Sequence, residues 1–294
     1  MAVNSRFARF MRGASTEVAP ADEKCLPELA ALLPRGMALY IPHTPHADFG
    51  HVIRTALAAQ RAGFLATPHI AARRIADART LARGLDELRS GGIERILLIA
   101  GDAARPIGEF ADTLDILRSG VLEGSGIARI GVAGHPEGHK EVDTARLWEA
   151  LRTKQTFAAR NRLKMHIVTQ FGLKAGAAVA WQRELAGQQI DLPVHVGIAG
   201  PTPLAKLIHF AIQCGIATSV RRLMHSLRSG GSESKLAVSP DQHLPTLVAA
   251  DLPAQIVAPH FFTFGGAVET AHWLRQICAR LEAPLFPSDM RMGV

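Results

Sequence analysis

Eight short apolar runs alternate with amphipathic helical patterns along almost the whole chain, and this alternation restricts the fold more than any other feature. Strands that alternate with helical segments predict a parallel sheet, because parallel strands need a long crossover connection. Eight such units predict that the sheet closes into a (β/α)8 barrel, the TIM barrel of the α/β class. The predicted strands span residues 15–18, 37–42, 64–69, 95–100, 128–133, 165–170, 194–198 and 257–263.

The length of the chain agrees with one such barrel. A TIM barrel takes roughly 250 residues, and this chain has 294, of which 48% are hydrophobic. We therefore expect residues 1–294 to form a single domain. The stretch RSGGSESK at 228–235 is of low complexity, so we expect a mobile loop at 228–240 within the long seventh crossover.

Composition argues against several classes of protein. The net charge is +7, but no basic run contains interleaved aromatic residues, so a nucleic-acid-binding surface is not expected. The chain has neither an apolar stretch of about 20 residues that could span a membrane nor the apolar core of a secretory signal. Cys25, Cys214 and Cys278 form no CxxC pair. We expect a cytoplasmic protein.

Polar residues collect at the ends of the predicted strands, where a barrel builds its active site. They are Glu17, His43, His69, Asp102, His135, Glu137, His139, Gln170 and His260. The histidines could ligate a metal ion, but the first strand lacks the paired histidines of zinc barrels, so hydrogen bonding to a ligand is favoured and no metal is expected. Two alternatives stay open: Asp102 as the N-cap of the next helix, and Glu17 as a solvated or helix-capping residue.

Several short motifs occur in the order and at the strand positions of a known enzyme family. They are Ser15-Thr16-Glu17-Val18-Ala19-Pro20, Pro68-His69, Gly101-Asp102, Pro136-Glu137-Gly138-His139, Thr169-Gln170-Phe171, and Gly197-Ile198 followed by Phe210. Over most of its length the chain resembles the methylenetetrahydrofolate reductases. This resemblance implies an FAD-dependent oxidoreductase that interconverts 5,10-methylenetetrahydrofolate and 5-methyltetrahydrofolate by hydride transfer through the flavin, with NAD(P)H as its other small-molecule substrate.

The resemblance also implies roles for individual residues. Glu17 would be the general acid that protonates the folate nitrogen as the five-membered ring opens to an iminium. Asp102 would hold the pterin beside the flavin, Gln170 would hydrogen-bond the pterin, and Phe210 would pack on the aminobenzoyl group. The FAD would be lined by His69, Ala100, Asp102, Ala133, His135, Glu137 and His139.

The chemistry of the reaction explains why a carboxyl group is needed. A neutral methylene bridge accepts hydride poorly, whereas an iminium accepts it well, so the leaving amine must be protonated. A carboxyl group whose pKa is raised by burial can hold that proton near neutral pH. Glu17 stands among apolar residues on a predicted buried strand, which suits this role.

The chain departs from the family pattern at several positions. Pro42, Ala100 and His135 replace a threonine, an arginine and an aromatic residue of the family. The family lysine before the sixth strand aligns near Ala159, and it could be replaced by a basic residue nearby, namely Lys154, Arg160 or Arg162.

Three functional questions stay open at this point. The sequence does not choose between NADH and NADPH, and it leaves the oligomeric state open, a homo-oligomer included. The reaction could run physiologically in reverse, as methyltetrahydrofolate oxidation in a demethylation pathway. A pterin-binding barrel without redox chemistry and a subunit that supports a redox partner are alternatives of another class.

Overall fold

The computed structural model describes residues 8–172, 175–213, 237–238, 240, 244 and 254–280. Within these ranges eight parallel strands form a closed barrel, in which each strand pairs with its neighbours in chain order and the last pairs with the first. The strands are β1 (Ser15–Glu17), β2 (Ala38–Ile41), β3 (Leu65–Ala71), β4 (Arg95–Ile99), β5 (Arg129–Gly134), β6 (Lys164–Phe171), β7 (Val194–Ala199) and β8 (Ile256–Phe262). The predicted TIM-barrel fold is confirmed.

A helix follows every strand of the barrel. In the described residues these helices are α1 (Leu26–Leu32), α2 (Phe49–Arg61), α3 (Ala78–Ser90), α4 (Thr113–Arg118), α5 (Thr144–Arg160), α6 (Ala175–Gly187), α7 (Leu204–Gln213) and α8 (Ala267–Arg280). Two 3-10 turns, Pro20–Cys25 and Ala72–Arg74, precede α1 and α3. None of the described helices is both long and apolar enough to cross a membrane.

Aspartates mark the starts of four consecutive helices. The side chains of Asp48, Asp77, Asp112 and Asp143 accept hydrogen bonds from backbone N–H groups in the first turns of α2, α3, α4 and α5. A carboxylate in this position satisfies N–H groups that have no partner within the helix and interacts favourably with the helix dipole. These helix starts lie at the C-terminal end of the barrel, so the caps also shape the loops around the predicted site.

The strand bounds differ from the predicted ones by a few residues. The largest difference is in β3, which continues to Ala71 because Ile70 and Ala71 pair with Leu98 and Ile99 of β4. The predicted loop at 228–240 lies almost entirely outside the described residues, as does Cys214. The end of that segment is not loop, because Ala237–Val238 pairs antiparallel with Thr202–Pro203 in a separate two-stranded sheet.

The outer faces of the strands supply the hydrophobic core. Ile96 and Leu98 of β4 alternate with inward-facing residues and are completely buried against the surrounding helices. The amphipathic helix α3 packs the other side of this layer with Leu81 and Leu85, which are almost completely buried. Burying each such side chain stabilises the fold by about 1.5–3 kcal/mol.

The inner face of the barrel is unusually polar for a fold whose interior is normally filled by branched apolar side chains. The hydroxyl of Tyr40 on β2 lies 2.9 Å from Nε2 of His166 on β6, although these strands are not neighbours, so this hydrogen bond crosses the interior. His195 on β7 packs on His166 with ring centroids 4.6 Å apart. His69 and His260 contact the Tyr40 ring edge to face.

Burial keeps most of these imidazoles uncharged. It lowers the pKa of His69 to about 3 and that of His166 to about 4, and the neighbouring His260 acts in the same direction on both. The pKa of His195 is also well below its ordinary value, first through burial and then through His166. The folded protein therefore holds these rings in the neutral form at physiological pH.

These pKa shifts predict that the protein loses stability in mild acid. In the unfolded chain His69 and His166 take up protons as the pH falls below 6.5, whereas in the folded barrel both stay neutral until the pH approaches about 4. The unfolded state then binds more protons, so the free energy of unfolding falls as the pH is lowered through this window. Each such histidine contributes a slope of about 1.4 kcal/mol per pH unit. Urea unfolding followed between about pH 4.5 and 7.5 measures the slope.

A pair of variants tests the origin of this dependence. His195→Gln removes one buried imidazole and should make the slope shallower. His272→Gln, at an exposed position on α8, should leave the slope unchanged. A stability that does not vary with pH between about 5 and 6.5 would contradict the prediction.

Candidate functional site

Glu17 occupies the C-terminal end of β1, inside the mouth of the barrel, and is only 7% exposed. Its Oε1 lies 3.2 Å from Nε2 of His260, and Nδ1 of the same ring lies 2.9 Å from the hydroxyl of Ser15. Ser15 and His260 are opposite each other in the β1–β8 pairing, and both are completely buried. The alternative of a solvated or helix-capping Glu17 is therefore wrong.

This chain of hydrogen bonds can accommodate both protonation states of Glu17. When the carboxyl group is ionised, Nε2–H of His260 donates to it and Nδ1 accepts from the Ser15 hydroxyl. When the carboxyl group is protonated, it donates to Nε2, and Nδ1–H donates to the Ser15 oxygen. In both states the carboxyl oxygen, the two ring nitrogens and the Ser15 hydroxyl all have a hydrogen-bond partner. A group that gives and regains a proton requires such an arrangement.

His69 on β3 faces the same carboxylate from the other side. Its Nε2 lies 3.9 Å from Glu17 Oε1, beyond hydrogen-bonding distance, and among the described residues this buried nitrogen has no hydrogen-bond partner. Burial, together with the nearby His260 and His43, lowers the pKa of His69 to about 3. The ring is therefore a neutral group with one buried nitrogen available to a ligand.

Asp102 lies in the loop after β4, at the rim of the same mouth, and its side chain is 59% exposed. Its Oδ1 accepts hydrogen bonds from Nη2 and Nε of Arg74, at 2.8 and 3.2 Å. It does not cap the next helix, because the N-cap of α4 is Asp112. The N-cap interpretation of Asp102 is therefore wrong.

Glu17 and Asp102 share one mouth without touching each other. Among the described residues no hydrogen bond or ion pair joins them. Burial and Arg74 lower the pKa of His43 to about 4, Asp102 opposes this shift, and His43 in turn lowers the pKa of His69. Since His69 also lies 3.9 Å from Glu17, both carboxylates lie near the same group of imidazoles.

A second group of titratable side chains follows β5. The rings of His135 and His139 meet edge to face at 5.2 Å, and Glu137 is half-buried on the same turn. Burial lowers the pKa of His135 to about 3, helped by His139 and by Lys154. Lys154 is itself only 7% exposed on α5, and burial lowers its pKa to about 8 while Asp112 opposes the shift.

The structure distinguishes among the three basic residues considered for the family lysine. The charge of Lys154 acts on His135, which follows β5 at the C-terminal side of the barrel. Arg160 and Arg162 are at the end of α5 and just before β6, which is the opposite end of the barrel. Lys154 is therefore the one of these three whose charge reaches a predicted cofactor residue.

The end of β6 and the helix after β7 bring two further predicted residues to the mouth. The β6–β7 pairing shifts register between Val168 and Phe171, and Gln170 lies half-buried within this shift. Gly197 permits it, since a Cβ there would lie 2.4 Å from the carbonyl oxygen of Thr169. Phe210 on α7 packs against Phe264, with ring centroids 5.0 Å apart.

All the predicted site residues therefore lie at the C-terminal ends of the strands or on α7. They are Glu17, His69, Ala100, Asp102, Ala133, His135, Glu137, His139, Gln170 and Phe210. The structure brings Glu17 together with His69, and His135 together with His139. Whether these residues bind folate or FAD stays a prediction.

Sequence reasoning misses part of the site. It places His260 at a strand end without giving it a role, although this residue is the direct partner of Glu17. It does not identify Tyr40, His166 and His195, which fill the barrel below Glu17. One signal in the sequence could have found Tyr40, the single tyrosine of the chain. The two-residue period of a strand places it on the same face of β2 as Ala38, and a polar side chain on a predicted barrel strand can be examined as a candidate for the interior.

The described residues contain no group of three or more His, Cys, Asp or Glu side chains that could hold a metal ion. No known protein-family model matches this chain.

Solved structures with a similar fold are TIM-barrel proteins. Two mutant forms of the tryptophan synthase α-subunit from the hyperthermophile Pyrococcus furiosus superpose with TM-scores of 0.50 and 0.51, at 12% and 11% identity, each over 92% of this chain and 97% of the other. Dihydropteroate synthase from Thermus thermophilus gives a TM-score of 0.45 at 12% identity, over 92% of this chain and 93% of that one. The similarity to the tryptophan synthase α-subunit shows a shared fold and no more, so the chemistry has to be argued from the site.

The position of Asp102 depends on Gly101, which suggests a test. Gly101 has a φ of +90°, and a Cβ there would lie 3.0 Å from Cβ of Ala71. Gly101→Ala should cost roughly 1–2 kcal/mol for the left-handed backbone, and more for the contact with β3. Gly120→Ala is the matched control, because Gly120 has a φ of +74° but nothing within 4 Å of the added Cβ. Equal losses in the two variants, measured by urea unfolding, would show that the contact is unimportant.

Proposed function

We propose that this protein is an FAD-dependent oxidoreductase that interconverts 5,10-methylenetetrahydrofolate and 5-methyltetrahydrofolate, with NAD(P)H as the other substrate. The observation that carries the proposal is Glu17, a carboxyl group buried inside the mouth of the barrel and held by His260, which Ser15 holds in turn. The order of the strand-end motifs supports the same assignment.

Glu17 acts as the proton donor to the folate nitrogen. Protonation lets the five-membered ring open to an iminium, which accepts a hydride far more readily than the neutral methylene bridge. The carboxyl group needs a water-poor environment and a fixed direction for this step. Burial provides the first, and the contact with His260 provides the second.

His260 and Ser15 are positioning residues for that proton. After Glu17 has given up its proton, the ionised carboxylate needs a hydrogen-bond donor. His260 can be that donor in the tautomer that carries its proton on Nε2, with Nδ1 accepting from the Ser15 hydroxyl. His260 and Ser15 therefore fix the direction of the carboxylate.

The residues at the mouth fit a bound flavin dinucleotide in two respects. Nδ1 of His43 and Nε2 of His69 are buried without a hydrogen-bond partner in the described part of the chain, so both can hydrogen-bond a polar ligand. Lys154 is buried, its charge acts on His135, and it has no ion pair among the described residues, so it suits a phosphate group. When bound, FAD would carry the hydride between the nicotinamide and the folate.

The remaining residues hold and orient the ligands. His69, Ala100, Ala133, His135, Glu137 and His139 would line the flavin. Asp102, exposed at the rim and oriented by Arg74, would bind the pterin together with Gln170. Phe210, in an aromatic group with Phe264, would pack on the aminobenzoyl part of the folate.

Because one site lowers the barrier in both directions, the same geometry serves methyltetrahydrofolate oxidation when the electron acceptor favours it.

The absorbance spectrum of the purified protein tests the cofactor. A flavin spectrum that is bleached anaerobically by NADH, NADPH or methyltetrahydrofolate supports the proposal and identifies the donor. Colourless protein that cannot be reconstituted with FAD would instead favour a pterin-binding barrel without redox chemistry, or a subunit that supports a redox partner.

Glu17→Gln should separate the two half-reactions. Glutamine keeps the size of the side chain but cannot donate the proton, so folate turnover should fall by about 10²–10⁴-fold. FAD binding and flavin reduction by the nicotinamide should be retained. Glu123→Gln, at an exposed position, is the control and should behave as the unmodified protein. Stopped-flow measurement of each half-reaction gives the answer, and folate turnover within a few-fold of the original would exclude Glu17 as the acid.

Asp102→Ala should weaken folate binding more than flavin retention. The ion pair with Arg74 is partly exposed, so its loss should change the stability by less than about 1 kcal/mol. We expect a raised KM for folate and a reduced folate-linked rate, with the flavin content unchanged. Asp86→Ala, on the exposed face of α3, is the control. If the variant loses its flavin while its remaining holoenzyme has a normal KM, Asp102 has been assigned to the wrong ligand.

A further inference from the structure

Three basic residues begin three neighbouring strands. Arg95, Arg129 and Lys164 are the first residues of β4, β5 and β6. The strand pairing places them directly in register, Arg95 opposite Arg129 and Arg129 opposite Lys164. Strands pair about 4.8 Å apart, so the three side chains start from one continuous row, which we call the basic row.

The basic row faces the inside of the barrel. Ile96, Ile130 and Met165, the next residues of the same strands, belong to the outer hydrophobic core. Since successive side chains of a strand point to opposite faces, the basic row points inward, as Leu97 and Val168 do in the small inner cluster. The row therefore lines the N-terminal mouth, at the opposite end of the barrel from Glu17.

The charges of the basic row are not neutralised within the described part of the chain. None of the three side chains forms an ion pair there. Arg95 is half-buried, and its pKa is lowered by burial and by the charge of Arg129, while Tyr40 and Glu94 oppose this shift. Like charges held side by side on adjacent strands are destabilising. The fold thus maintains an unfavourable concentration of positive charge at this mouth.

The interior next to the row has further hydrogen-bonding capacity. His166 lies two residues after Lys164 on β6. After burial and His260, the charges of Arg95 and Arg129 also lower its pKa. His195 lies against His166, and its buried Nδ1 has no hydrogen-bond partner among the described residues. The N-terminal mouth therefore combines convergent cations with unused polar atoms.

We propose that the basic row binds a phosphate-sized oxyanion, at a site separate from the proposed folate and flavin site. A tetrahedral dianion has several acceptor oxygens, so it can bridge cations that come from neighbouring strands. Arginine guanidinium groups match such oxyanions through paired N–H donors. The bound anion neutralises the positive charge of the basic row and stabilises the N-terminal end of the barrel.

Thermal unfolding in inorganic phosphate tests this site. The melting temperature should rise saturably with phosphate, and it should rise more than in sodium chloride of equal ionic strength. At ten times its Kd a ligand that binds only the folded state raises the folding equilibrium constant about 11-fold. Glycerol 3-phosphate, titrated in parallel, decides whether free phosphate or a phosphate ester is the better ligand.

Two variants and a control make the test specific. Arg129→Gln and Lys164→Gln each remove one exposed cation of the row, and Arg160→Gln removes an exposed cation outside the barrel at the same end. Without phosphate, the two row variants should be at least as stable as the unmodified protein, because repulsion is relieved. With phosphate, their melting temperatures should rise less, whereas the Arg160→Gln control should respond fully.

The outcome does not depend on the folate chemistry. Equal melting curves in phosphate and chloride would overturn the anion site, as would equal phosphate responses in the row variants and the Arg160→Gln control. A row variant that is less stable than the unmodified protein even without phosphate would show that the cations do not repel one another. Loss of folate turnover in Glu17→Gln has no bearing on these results, since Glu17 lies at the other mouth.

Discussion

The contacts of His260 with β1 contribute both to the closure of the barrel and to the geometry of the site. Strand β1 is only three residues long, and it pairs with β8 through Ser15 opposite His260 and Thr16 opposite Phe261. At this short seam the His260 ring bonds Ser15 on one side and Glu17 on the other. The side chain that strengthens the closure of the sheet therefore also orients the proposed acid.

The polar interior is a second feature that distinguishes this barrel. A barrel filled by Val, Ile and Leu would be packed and inert, whereas here the ring of Tyr40 and the imidazoles of His69, His166, His195 and His260 occupy the inside. Most of these imidazoles are neutral because burial disfavours their charged forms. The interior gains hydrogen-bonding capacity and loses stability in acid. The two mouths then differ in character: imidazoles and carboxylates lie at one, and the basic row lies at the other.

Positive charge reaches the C-terminal mouth from two elements. Arg74, on the turn after β3, donates a hydrogen bond to Asp102. Lys154 of α5, the helix after β5, is buried, and its charge acts on His135.

The sequence by itself determined the barrel, its eight strands and the mouth at which the polar residues meet. It could do so because strand and helix periodicities are local and because strand ends in a barrel converge. Only the tertiary structure decided which side chains meet across the interior. His260 with Glu17 and Tyr40 with His166 are separated by 243 and 126 positions, and no local pattern encodes such pairs. Likewise, the burial of Lys154, whose charge acts on His135, follows from helix packing around the closed sheet and appears only when the chain is folded.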